Sequence, residues 1–320
     1  MNTVKKISAY ILFSAVAISA SASSRSHKSA QHVASPAPVA SPVVPMSMTF
    51  CGQKLDLDRA DLFERFDREL TSVAFTHGNT LLTIKRANKY FPRMAPILTK
   101  HGVPHDLLYL ACVESYLSNR AYSPAKAAGV WQFLASTAKD YGLEVSDEVD
   151  ERFNLEKATD AACRYLKSAY NQYGDWATAM ASYNGGRGRI SSELNRQLVD
   201  NAYDLYLTEE TQRYVFRIMA MKAVMENPRV FGYEIHDAAQ LYQPVDVDIV
   251  EVSEPVDSWP KWAADHGITY SQLREENPWI RVQKLTNSAR KTYQVRVPKK
   301  NALLRSHQHP KAYNKSWVVK

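Results

Sequence analysis

From residue 61 to residue 227, apolar positions recur every three or four residues, the spacing of helices that bury one face. The pattern predicts helices over Asp61–Leu70, through Leu62, Phe63, Phe66 and Leu70, and over Asn79–Tyr90, through Leu81, Leu82, Ile84 and Ala87. Phe91-Pro92 should close the second, and a short third, Ala95–His101, should stop at Gly102. Another helix should begin near Pro104, with Asp106 in its first turn. Leu107, Leu110 and Ala111 share one face of it, and Glu114 falls on that same face. Residues Ser123–Phe133 are rich in Ala, Gly and Pro and read as a loop. A short helix over Ser136–Tyr141, stopped by Gly142, precedes a charged turn at Asp150-Glu151-Arg152-Phe153. Asn154 then caps a long helix whose inner face is Ala158, Ala161, Ala162, Tyr165, Leu166, Ala169 and Tyr173, ending at Gly174. Trp176–Tyr183 and Glu209–Asn227 complete the helical part, the first stopped by Asn184-Gly185-Gly186 and the second by Pro228.

Near residue 242 the period changes. Val245, Val247 and Ile249 alternate with acidic residues, as a half-buried strand would. Two short helices, Val256–His266 and Ser271–Asn277, flank Gly267, and Tyr293, Val295 and Val297 alternate again before Pro298. This is an α+β module of roughly fifty residues, near the lower limit of independent folding. The basic, polar tail from Lys299 is expected to be loose. The fold class is therefore mainly α, with a small α+β module at its end. The expected organisation is an export signal (1–22), a Pro/Ser/Ala-rich tether (23–47), a helical domain with an N-terminal extension (48–235), the module (242–298) and the tail (299–320).

The beginning of the chain sets the address. Lys5 and Lys6, an apolar run from Ile7 to Ile18, and Ala20-Ser21-Ala22 form a secretory signal, too short to span a bilayer comfortably. Cleavage after Ala22 removes two lysines and takes the formal charge from +7 to +5. That excess suits an acidic polymer or membrane surface, so peripheral membrane or cell-wall-complex association is open. Nucleic acid is not expected as a partner, because there is no Arg-rich stripe or recognisable motif. The three cysteines, Cys51, Cys112 and Cys163, leave at least one thiol unpaired, and their spacing fits no metal site. Neither metal nor cofactor is expected. Eighteen Tyr and six Trp suit a packed core and a sugar cleft equally, so they do not choose between them.

Glu114 is the residue that needs an explanation. A carboxylate in line with core residues is costly when charged and unpaired. Either a cation such as Arg120 or Arg152 pairs it, or burial raises its pKa and the protein uses the proton. Spacing alone leaves both open, and structural ion pairs are the commoner case.

Five runs change that balance: Val113-Glu114-Ser115; SPAKAAGVWQF over 123–133; Asp150-Glu151-Arg152; Ala181-Ser182-Tyr183-Asn184-Gly185; and Glu210-Thr211-Gln212-Arg213-Tyr214-Val215. Together, in order and over about 110 residues, they resemble the lytic transglycosylases that share a fold with goose-type lysozyme, the membrane-bound murein transglycosylase D type above all. The resemblance implies a lysozyme-like helical domain that cleaves peptidoglycan glycan strands, in the periplasm, as a monomer. It implies Glu114 as the one catalytic carboxyl, acting first as acid and then as base. It implies Ser123, Gly129, Gln132, Tyr183, Asn184 and Tyr214 as groups that bind or orient the sugar. Ser123 has an equal claim as a turn residue before Pro124, and Tyr214 as a core aromatic. Trp131 and Phe133 read as supports of the loop, and Asp150, Glu151 and Arg152 as a structural ion-pair turn. The module is similar to LysM domains, binders of N-acetylglucosamine polymers, through Asn277-Pro278-Trp279 and Tyr293–Pro298. Its turns at Ser253–Val256 and Ser288–Lys291 depart from that pattern, so a packing role competes with glycan binding. A hydrolytic muramidase and an inactive cell-wall binder are the rival functions.

Overall fold

The structure is a computed structural model that describes residues 39–319. The expected export signal and most of the expected tether lie outside these residues. Residues 39–46 carry no helix or strand. All contacts below lie within Ser41–Lys320, one compact unit.

The ordered chain opens on a hairpin, β1 (Ser47–Phe50) paired antiparallel with β2 (Gln53–Asp56). Cys51 and Gly52 turn it with φ of 49° and 78°, the two-residue geometry that matches strand twist. The Cys51 N–H donates to Asp106 Oδ2 at 2.6 Å, and Lys222 Nζ donates to Asp106 Oδ1 at 2.9 Å, which pins the hairpin to the helices.

The helical part consists of α1 (Ala60–Phe75), α2 (His77–His101), α3 (Leu108–Ser115), α4 (Ala135–Asp140), α5 (Leu155–Tyr173), α6 (Trp176–Gly185), α7 (Arg187–Gln197) and α8 (Glu209–Glu226). The caps of α5 are as expected: the Asn154 side chain accepts from the Lys157 N–H, and Gly174 ends the helix at φ 71°. Helix α8 is buried on nearly all sides and packs on α1, α3 and α6, so it is the centre of the bundle. Its Arg213 and Arg217 reach Glu69 of α1, a fully buried carboxylate that also accepts from Arg68. Three guanidinium groups around one buried carboxylate offset its desolvation.

Two expectations are corrected here. The pair predicted on either side of Phe91-Pro92 is one 25-residue helix, α2, with Pro92 and Pro96 inside it. An interior proline costs about 3 kcal/mol. The unbroken buried stripe of Ile84, Ala87, Phe91, Met94, Ala95 and Leu98, packed largely on α5, outweighs it. Helix α7 went unpredicted because Ile190 is its one fully buried residue, so it carries almost no apolar period. The three cysteines are free thiols.

The C-terminal module pairs β3 (Val247–Val252) antiparallel with β4 (Tyr293–Pro298), Val250 opposite Val295, and places α9 (Trp259–Asp265) and α10 (Tyr270–Glu276) beside them. Its core of Trp259, Leu273, Trp279, Ile280 and Val295 is continuous with Ala128, Val149 and Phe153 of the helical part. A module this small gains a core by sharing one. The join is also polar: Lys89 to Glu276 at 3.0 Å, Arg296 to Glu156 at 3.5 Å, Arg120 to Glu275 at 2.8 Å, and Thr286 to Glu148 at 2.6 Å.

The tail is not loose. It runs back to the bundle and buries Trp317 against Phe91 and Tyr313, with Trp317 Nε1 donating to Met225 O at 2.7 Å. Asn88, buried on α2, holds the returning chain by donating to Tyr242 O and Lys311 O and accepting from the Tyr313 N–H. A basic composition concealed one large apolar anchor. Trp317→Ala should therefore lose about 3–5 kcal/mol of stability, as truncation of a buried aromatic does, read from urea unfolding of the full chain.

Candidate active site

The site forms at the C-terminal end of α3. The helix stops because Tyr116 turns left-handed, at φ 49°, leaving Glu114 one residue from the last helical position. Ser115 and Tyr214 beside it are buried, and Glu114 itself is half-buried. Neither cation suggested as its partner pairs with it: Arg120 binds Glu275, and Arg152 binds Asp150. Instead the Tyr214 hydroxyl, delivered by α8, donates to Glu114 Oε1.

That environment holds a proton. Burial raises the Glu114 pKa to about 7. The Tyr214 hydrogen bond opposes the shift by stabilising the carboxylate, the negative charge of Glu210 adds to it, and Arg217 lowers it. Arg217 is itself engaged by Glu69, so its charge is not free to neutralise Glu114. Glu210, Tyr214 and Arg217 lie four and three residues apart on α8 and so face α3 together. The phenols of Tyr183 and Tyr214 are held well above their ordinary pKa, by burial first and then by the Glu114 charge. Both therefore stay protonated and act as donors.

The 123–133 loop is tied to α3, α6 and α5 at three places. Ser115 Oγ, next to Glu114, donates to Val130 O at 2.9 Å. Tyr183 Oη, from the end of α6, donates to Trp131 O at 2.6 Å. Trp131 is fully buried, with Nε1 donating to Thr159 Oγ1 at 2.9 Å, so the loop is anchored into α5. The far side of the loop is held by Arg152, which donates to Lys126 O at 2.8 Å and Phe133 O at 3.0 Å while forming a two-pronged pair with Asp150. Asp150 is in turn held by the module, its N–H donating to Trp279 O at 2.9 Å. The C-terminal module thus braces the loop that flanks Glu114.

The expected site residues fall into two sets. Tyr214 and Tyr183 surround Glu114 as described. Gln132 sits in the loop at φ 50°, half-buried, with its amide donating to Gly129 O at 2.8 Å. Asn184 accepts from Thr211 Oγ1 at 2.8 Å and joins α6 to α8. Ser123 and Gly129 have structural duties. Ser123 Oγ accepts from the Ala127 N–H at 3.0 Å within its own turn. Gly129, at φ 76°, is crowded by the protein: a Cβ there would lie 1.9 Å from Arg152 O. Glu151 is buried against Lys157 and accepts from the Glu144 N–H, so it is a structural carboxylate as expected of that turn. Ser115 and Glu210 stand in the sequence motifs without a role there, and Arg217 lies outside them; in the structure Ser115 bonds Val130 O, and the Glu210 and Arg217 charges act on Glu114. The last two could have been found from their spacing to Tyr214 on one helix.

Fold and site define a helical domain built around a single proton-holding carboxyl, braced by a small α+β module. Comparison with known proteins agrees. Residues 95–204 match the family described as Transglycosylase SLT domain, and residues 248–301 match the Soluble lytic transglycosylase C-terminal LysM-like domain. The two matches follow one another in that order along the chain. It is 30% identical over 244 residues to membrane-bound lytic murein transglycosylase D of Escherichia coli (strain K12), covering 75% of this chain and 52% of that protein. It is 38% identical over 95 residues to the peptidoglycan transglycosylase gp16 of Escherichia phage T7, covering 29% of this chain and 7% of that one. The chain spans about half the length of the first of these relatives. The 70 kDa soluble lytic transglycosylase of Escherichia coli superposes on 43% of this chain and 24% of its own, at 21% identity and a TM-score of 0.37, an overlap too slight to carry a conclusion.

Two outcomes follow from the electrostatics. Tyr214→Phe removes the donor that stabilises the carboxylate, so the Glu114 pKa should rise above about 7, read by NMR titration of the labelled side chain. Glu114 also makes stability depend on pH. Its folded pKa is raised from 4.5, so between about pH 4.5 and 7 the unfolded chain gives up a proton that the folded chain keeps, and stability falls as pH rises. Glu114→Gln should be more stable than the wild type at pH 8, by on the order of 2–3 kcal/mol, and equal to it near pH 4, by urea unfolding at the two pH values.

Proposed function

We propose that the chain is an exported peptidoglycan lytic transglycosylase that cleaves the β-1,4 bond between MurNAc and GlcNAc and leaves 1,6-anhydroMurNAc ends. One observation carries the reading: the half-buried Glu114 carboxyl, raised to a pKa of about 7, bonded by Tyr214 and flanked by the 123–133 loop within the transglycosylase-domain match. The names of the relatives, a murein and a peptidoglycan transglycosylase, support the substrate.

The chemistry uses one carboxyl twice. Protonated Glu114 donates to the glycosidic oxygen as the bond from the MurNAc anomeric carbon breaks. The leaving GlcNAc takes that proton, and the anomeric carbon becomes electron-poor. The N-acetyl group of the MurNAc ring stabilises it. Glu114, now a carboxylate, takes the proton from the 6-hydroxyl of the same ring as its oxygen bonds to the anomeric carbon. The ring closes, and the enzyme returns to its starting protonation. The donor from Tyr214 keeps the carboxylate stage accessible, while burial keeps the acid stage populated near neutral pH. Gln132, Tyr183 and Asn184 line the approach as sugar-orienting groups. The enzyme acts as a monomer, and an export signal at 1–22 fits a substrate outside the cytoplasm.

Digestion of purified sacculi with mass analysis of the products tests the reading. Anhydro ends are the expected product; reducing ends mean hydrolysis, and no release in the wild type means a binder. Glu114→Gln should lower the rate by about 100-fold or more, the usual scale of a general acid. The wild-type rate should fall as pH rises above about 7, because the acid stage is then depopulated.

A further inference from the structure

The returning tail builds a cavity that Glu114 does not line. It has a volume of 660 Å³ and is walled by Lys85, Arg86, Lys89 and Tyr90 of α2, by the 239–243 connection, and by Arg305 and Gln308 of the tail. Among the described residues four cations line it, with the side chains of Gln240, Gln243 and Gln308, and no carboxyl group does. Lys89 is neutralised from the side by Glu276. Arg86 donates to Tyr116 O at 3.0 Å and Arg305 to Ala239 O at 3.4 Å; both bonds orient a guanidinium without cancelling its charge. The walls are fixed: the Tyr242 N–H donates to Lys85 O, and Asn88 holds both Tyr242 O and Lys311 O. Like charges gathered at a half-buried surface repel one another, and an anion seated among them removes that cost.

We propose that this cavity receives the carboxylates of the acidic peptide stems that branch from the glycan strand, a proposal that rests on the peptidoglycan reading above. Its position supports the assignment. Arg86 bridges the cavity to Tyr116, two residues beyond Glu114, so the cavity borders the end of the catalytic helix. A stem of about three to five residues reaches roughly 10–17 Å when extended. Guanidinium groups bind carboxylates in paired hydrogen bonds, and Arg86 and Arg305 bring two of them to the cavity wall. A cavity walled by α2, the 239–243 connection and the tail fits a narrow peptide better than a flat lipid surface.

The test compares intact sacculi with sacculi stripped of stems by an amidase, using the full chain and the Lys85→Gln/Arg305→Gln double variant. The wild type should prefer the intact substrate, and the double variant should lose about tenfold of that preference, the scale of one charge-assisted hydrogen bond. Calorimetry with the tripeptide L-Ala-γ-D-Glu-diaminopimelate should show binding to the wild type and none to the double variant. Equal rates of the wild type on both substrates, or an unchanged preference in the variant, overturn the proposal. So does a variant whose one loss is binding to phosphatidylglycerol vesicles, which assigns the cavity to a lipid headgroup. A wild type that cleaves neither substrate overturns the underlying peptidoglycan reading instead, and the stem site with it.

Discussion

The structure depends on keeping one carboxyl between two states. Glu114 sits where burial favours the neutral acid and the Tyr214 hydroxyl favours the carboxylate, and its pKa settles near 7 between them. A nearby free cation would end that balance, as an ion pair would fix the charged form. The fold avoids this by occupying the cations elsewhere. Arg152 is committed to Asp150, Arg120 to Glu275, and Arg217 with Arg213 to the buried Glu69. The ion pairs of this protein therefore bear on its chemistry through what they withhold from Glu114.

The second constraint is rigidity of the 123–133 loop. A loop rich in Ala, Gly and Pro has little packing of its own. It is fixed by buried Trp131, by Ser115 and Tyr183 on the near side, and by Arg152 on the far side. Arg152 is held in its turn by Asp150, whose backbone is bonded to the C-terminal module. The module shares its core with Ala128 of the same loop. The module thus braces the loop through a chain of packed groups and hydrogen bonds. The tail adds a further closure, with Trp317 locking the last residues against α2 and α8 and thereby completing the cation-lined cavity.

The sequence by itself determined the helical class, most helix boundaries and the α+β module, and it singled out Glu114 for explanation. Those features are local: apolar period, caps such as Asn154 and Gly174, and a carboxylate out of place on an apolar face. Glu114 stood out because a charge in a core pattern needs a reason, and the ordered motifs around it gave that reason a direction. The tertiary structure alone decided the rest. No local rule shows that Pro92 and Pro96 stay inside a helix, since the buried stripe that outweighs them lies against α5. No spacing shows that Gly129 is a glycine because of Arg152, 23 positions away, or that a basic tail returns to bury Trp317. Whether Glu114 would be paired or left to hold its proton was likewise settled by partners distant in sequence. A residue's protonation is set by what surrounds it in space, and in this protein those surroundings are α8, the buried Glu69 cluster and the module-braced loop.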